Sequence, residues 1–139
     1  YRLINGNTGY KSGGITLAGT NFGVNPNDAS SDIVEVDWQP GGCVLHRRNN
    51  LILEDYYPNK GKAYCEDLVH SFLLKESCVD LFVDTRAKCT TPLNPKLSLL
   101  KEIVPDIKIR LYFVKMAKLS VTRMLIHYIV YIIRFIKFK

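Results

Sequence analysis

Four cysteines, at positions 43, 65, 78 and 89, have the widest chemical reach of any residues in this chain. Thiolates bind zinc, pair as disulfides or act as nucleophiles. Structural zinc sites usually draw two ligands from one C-x2-C pair, whereas these cysteines are separated by 21, 12 and 10 residues. No metal site is therefore expected, even with His46 and His70 nearby in sequence. An even number of cysteines in a short segment favours disulfides and an oxidising compartment. Cys43, Cys65, Cys78 and Cys89 are accordingly disulfide candidates, with all three pairings open. Four free thiols in a reducing compartment are the competing reading. A Cys65/His70 nucleophile needs a positioned base, and no supporting motif surrounds the pair.

Carboxylates recur as Asp28/Asp32, Glu54/Asp55, Glu66/Asp67 and Asp80/Asp84. Two carboxyls do acid–base chemistry only when held across a cleft with separated pKa values, and pairs on turns are usually solvated. The loop 25–32 offers oxygen ligands without the spacing of an EF-hand. There is no phosphate-binding glycine loop, no H-E-x-x-H and no N-x-S/T acceptor. No catalytic residue, cofactor or small-molecule substrate is expected.

A second signal lies at the C-terminus. On a helix, Arg123, His127 and Arg134 fall within about 40° of one another, with Lys137 at the edge of that sector. The rest of residues 119–139 is Leu, Ile, Val, Tyr and Phe. These four residues are membrane-contact candidates, forming a narrow basic stripe for headgroups. A spanning helix needs about 20 apolar residues and would take Arg123 and Arg134 inside the bilayer. A segment foreign to the native protein is the third reading. Nucleic-acid binding is not expected, because a phosphate-binding face is normally more polar than this one.

These residues need elements to hold them. The chain has 139 residues, enough for one domain or a small domain with a tail. It does not begin with Met, which suggests a fragment or a processed product. Residues 1–95 carry nine Lys/Arg against eleven Asp/Glu, net −2, and residues 96–139 carry ten against two, net +8. All nine glycines precede residue 62. Such asymmetry divides the chain into a turn-rich body and a basic, apolar tail. In the body, Ile15, Thr16 and Leu17 read as a short strand. So do 33–38 (IVEVDW), 43–45, 51–55 and 79–84, with turns between them. Residues 63–77 read as an ambiguous helix. In the tail, 107–114 (IKIRLYFV) alternates and reads as a strand.

The most informative stretch is GGITLAGTNFG (13–23), a glycine pair feeding a strand and a tight turn. With Val34, Val36, Cys43 and the later Cys89-Thr90-Thr91-Pro92, it resembles the immunoglobulin-like IPT/TIG family over residues 3–95. That resemblance implies a mainly β fold: an immunoglobulin-like β-sandwich over 1–95, with 107–114 as the candidate closing strand. A basic apolar helix or unstructured tail would follow over 96–139. It also implies a non-catalytic protein-interaction module of a cell-surface receptor or adhesion protein, located outside the cell or at the plasma membrane. The alternative is an intracellular DNA-binding or dimerisation module of the same fold class, which the body's net charge disfavours. The expected core is Ile15, Leu17, Phe22, Val34, Val36 and Trp38.

Overall fold

A computed structural model describes residues 2–6, 11–27, 31–58, 64–87 and 99–137, with side chains described for 103–135 of the last stretch. In chain order the elements are α1 (Arg2–Asn5), β1 (Ile33–Val36), a 3-10 turn (Arg48–Asn50), α2 (Glu66–Glu76), β2 (Leu81–Asp84), α3 (Leu99–Met116) and α4 (Val121–Lys137). The described residues are mostly helical and hold one two-stranded sheet. The mainly β sandwich expected from the sequence is therefore not the fold.

The expected strands at 33–38 and 79–84 survive as β1 and β2. They pair antiparallel, with Ile33 opposite Asp84 and Val36 opposite Leu81. Alternation works as the pleat requires: Val36 is buried, whereas Ile33 and Glu35 are exposed. Segments 43–45 and 51–55 form no strand. Leu45 is fully exposed and Leu53 is 89% exposed, so neither has a neighbouring strand or core to bury against.

Residues 107–114 belong to α3 rather than to a closing strand. Eight residues of alternation fit both periods, since Ile107/Leu111 and Ile109/Phe113 are also i,i+4 pairs. Burial decides between them: Ile109 is buried, and so are the adjacent residues Phe113 and Val114, which alternation along a strand would not give. The helix runs through Pro105, which lacks the N–H for one i→i−4 bond. The ambiguous segment 63–77 contains α2. Glu66 and Asp67 in its first turn and Lys75 in its last complement the helix dipole.

Both α2 and α3 end in the same motif. After α2, Cys78 adopts a left-handed φ of 59° and donates to Lys75 O at 2.9 Å, while Val79 donates to Leu74 O at 3.0 Å. After α3, Lys118 adopts φ 53° and donates to Lys115 O at 3.2 Å, while Leu119 donates to Val114 O at 2.8 Å. These are Schellman caps with a side chain where glycine is usual. Ser120 then caps α4, its Oγ accepting from Arg123 N at 3.4 Å.

Two hydrophobic clusters result. The larger joins Leu68 and Val69 of α2 to Phe113 and Val114 of α3 and to Met124 and Tyr128 of α4. The smaller joins Leu74 of α2 to Val36 and Leu81 of the sheet. α2 is thus the shared wall, and body and tail contribute to one core. Of the six residues expected in the core, Val36 is fully buried; Ile15, Phe22, Val34 and Trp38 are partly buried, and Leu17 is 43% exposed. They frame the core rather than fill it, because the helices supply its centre.

The stretch 13–23 folds into a small hairpin. Phe22 N donates to Gly14 O at 3.0 Å and Thr16 N to Thr20 O at 2.8 Å, and the expected strand at 15–17 shrinks to one bridge between Ile15 and Asn21. Gly19, at the turn, has φ +72°, and a Cβ there would lie 2.5 Å from Val114 Cγ2. Glycine is required both by that backbone conformation and by the close approach of α3.

Candidate binding cleft

α3 carries Asp106 and Arg110 one turn apart, and α4 folds back after the link 117–120 to bring Tyr128 to them. Arg110 is the hub. Its Nε donates to Tyr128 Oη at 3.0 Å, Nη1 to Gly19 O at 2.6 Å and Nη2 to Asp106 Oδ1 at 3.5 Å. The Tyr128 hydroxyl donates a short hydrogen bond to Asp106 Oδ2. Cys65 Sγ donates to Asp106 Oδ1 at 3.6 Å. One guanidinium therefore ties α3 to α4 and to the hairpin turn.

The electrostatics follow from burial. Burial works against the Arg110 charge, but the Asp106 carboxylate beside it holds the guanidinium protonated. Burial, then the bond to Asp106, pushes the Tyr128 hydroxyl above its ordinary range. Burial raises the Cys65 thiol to about 12 against the pull of Arg110. A protonated thiol is not a nucleophile at neutral pH. His70 packs elsewhere, its ring 5.2 Å from that of His46 and 5.3 Å from that of Tyr56.

Beside this network opens a cleft of about 900 Å³. Thr20, Asn21 and Phe22 of the hairpin form one wall, and Ile4 and Asn5 of α1 another. His127, Tyr131 and Arg134 line it from α4. Burial, reinforced by Arg110, lowers the His127 imidazole, so it is neutral at pH 7. A smaller cavity of about 310 Å³ lies by His46, Tyr56, Glu66 and His70. The Tyr56 hydroxyl donates to Glu66 Oε1 there at 2.7 Å, and both ring nitrogens of His70 are buried without a hydrogen-bond partner. Among the described residues, no group of three or more His, Cys, Asp or Glu is placed to hold a metal ion.

The four residues of the expected basic stripe meet different fates. Arg123 Nη1 donates to Arg2 O at 2.9 Å and to Leu3 O at 2.6 Å, fastening α1 to α4. His127 and Arg134 line the cleft. Lys137 is the last residue of α4, and its side chain lies outside the described set. The opposite side of α4 is apolar and open: Leu125 is 49%, Ile129 57% and Ile133 48% exposed, with Ile132 at 38% between them. No helix among the described residues is long and apolar enough to cross a membrane.

No disulfide joins the three cysteines among the described residues. Cys43 and Cys78 are exposed and Cys65 is partly buried, all with free thiols, and Cys89 lies outside the described residues. Cys65 and Cys78 flank α2, so about 20 Å of helix rise separates them, against less than about 7 Å between the Cα atoms of a disulfide. A disulfide-stapled immunoglobulin-like sandwich with a membrane-spanning helix is therefore not what the described residues form.

Asp106, Arg110 and Tyr128 were not singled out in the sequence. The available signal was the D-x-x-x-R spacing, an i,i+4 ion pair once 99–116 is read as a helix. Read as a strand, Arg110 was only one of three polar residues on a solvent face. Comparison with family models, with curated proteins and with solved structures finds no match to this chain.

Proposed function

We propose that this protein is a non-catalytic interaction module that docks through α4 onto an anionic membrane surface. The observation that carries this reading is the open apolar strip of Leu125, Ile129, Ile132 and Ile133, at i, i+4, i+7 and i+8. A monomer gains nothing by leaving four aliphatic side chains of one helix face in water, and such a patch marks a contact surface. Charge favours a lipid surface over a neutral protein groove. α4 contains no acidic residue, and residues 96–139 carry a net charge of +8. Lys108, Lys115 and Lys118 are exposed on and just after α3. An open apolar helix face on a basic segment is what an interfacial helix presents to anionic headgroups. The absence of chemistry is part of the proposal. Cys65 is protonated, and Asp106, Arg110 and Tyr128 spend their hydrogen bonds on one another.

Sedimentation with vesicles tests it. The protein should pellet with phosphatidylcholine vesicles containing 30% phosphatidylserine and stay largely in the supernatant with pure phosphatidylcholine, at roughly physiological salt. The double variant Ile129→Asp, Ile133→Asp should lose at least about tenfold in binding while its helical signal is kept, because both positions are solvent-facing. Equal pelleting of wild type and variant would overturn the reading. So would failure of the wild type to bind anionic vesicles.

A further inference from the structure

We infer that the cleft walled by α1, the 13–23 hairpin and α4 binds a small amphiphilic carboxylate, a monoanion with an apolar body. Its volume, about 900 Å³, lies in the range of ligand pockets and leaves ample room for such a molecule. Its charge balance selects the head group. Arg110 is compensated by Asp106 at 3.5 Å, and its guanidinium nitrogens already donate to Tyr128, Gly19 and Asp106. His127 is neutral at pH 7. Arg134 also lines the cleft and makes no ion pair among the described residues. The site therefore carries one uncompensated positive charge, on a planar fork of donors that matches a carboxylate. A doubly charged phosphate would leave one charge unanswered.

The remaining lining fits the rest of such a molecule. Ile4, Phe22 and Ile103 offer apolar surface, Val130 and Tyr131 add more one turn before Arg134 on α4, and Asn5 and Asn21 add two neutral amides. Arg134 and the outward strip of α4 lie on opposite sides of that helix, about 180° apart from Leu125 at 100° per residue. The cleft and the membrane-facing strip are thus separate surfaces, and this inference does not rest on the docking reading.

Isothermal titration with decanoate, kept below its micelle concentration and without lipid, provides the test. Decanoate should bind with 1:1 stoichiometry, and decanol, which has the same chain and no charge, should bind at least about tenfold more weakly. Arg134→Gln should weaken decanoate by about tenfold and leave decanol unchanged. Ile129→Asp, Ile133→Asp should bind decanoate as the wild type does. Benzoate and octanedioate then separate a ring-bearing or doubly charged ligand from a fatty one. Tighter binding of either would overturn the alkyl monoanion. Equal affinity for decanol and decanoate in the wild type would overturn the site's charge selection without needing any variant. Loss of decanoate binding in the α4 strip variant would place the ligand on the outer face and overturn the cleft.

Discussion

Arg110 and its partners decide most at the scale of single residues. The guanidinium is 14% exposed and the Asp106 carboxylate 28%, so their pairing is shielded but not dry. Asp106→Asn would leave a mostly buried arginine without its counter-charge and should cost about 2–3 kcal/mol, reduced from the fully buried case by partial solvation. Tyr128→Phe removes one hydroxyl that both donates to Asp106 and accepts from Arg110, and should cost about 1–2 kcal/mol. Denaturant midpoints of the two variants check this ordering. If Tyr128→Phe proved the costlier, the hydroxyl and not the ion pair would be the centre of the network. None of this was legible as chemistry in the sequence. Asp106 and Arg110 show only an i,i+4 spacing that needs the helix to be recognised, and only the turn between α3 and α4 brings Tyr128 to them.

At the scale of elements, caps do the deciding. Ser120 closes the N-terminus of α4, and Lys118 turns the chain out of α3 in a conformation that disfavours a side chain. Ser120→Ala should therefore lower stability by about 1 kcal/mol. Lys118→Gly should leave it unchanged or raise it by up to about 1 kcal/mol, relief of the left-handed strain being partly offset by glycine's entropy. Thermal unfolding of both variants measures the pair, and a stabilised Ser120→Ala would show that the cap is not formed in solution. The C-terminal helix was legible in advance because its apolar run and charged stripe repeat with one period. The helix at 99–116 was not, because its alternating core satisfies the strand and the helix template equally.

The whole molecule holds together through α2, whose two sides serve two clusters. Phe113, Val114, Met124 and Tyr128 of the last third pack against Leu68 and Val69, and Ser120 N donates to Leu17 O at 2.8 Å. A chain ending at residue 95 would lose four of the six buried residues of its larger cluster. It should show no cooperative thermal transition, whereas the intact chain should show one. Calorimetry of both distinguishes the outcomes. A cooperative transition in the shortened chain would mean that residues 1–95 fold by themselves.

The sequence by itself determined those features that depend on neighbours in the chain. The pleat of 33–36 follows from alternation, the hairpin at 13–23 from its glycines, and the amphipathic α4 from a sustained helical period. The same local evidence suggested a sandwich and disulfides, and there it misled. Reading 107–114 as a strand or pairing cysteines by their number both need to know what lies across the gap. Only the tertiary structure decided those, because helix against strand was settled by which face of 99–116 found α2 and α4 to bury against. Cysteine pairing, likewise, is a matter of distance in space, and an intervening helix keeps Cys65 and Cys78 apart. The cleft belongs to the same class: Asn21, Arg134 and Ile4 share it because Arg123 and Arg110 hydrogen-bond to backbone carbonyls far away in sequence.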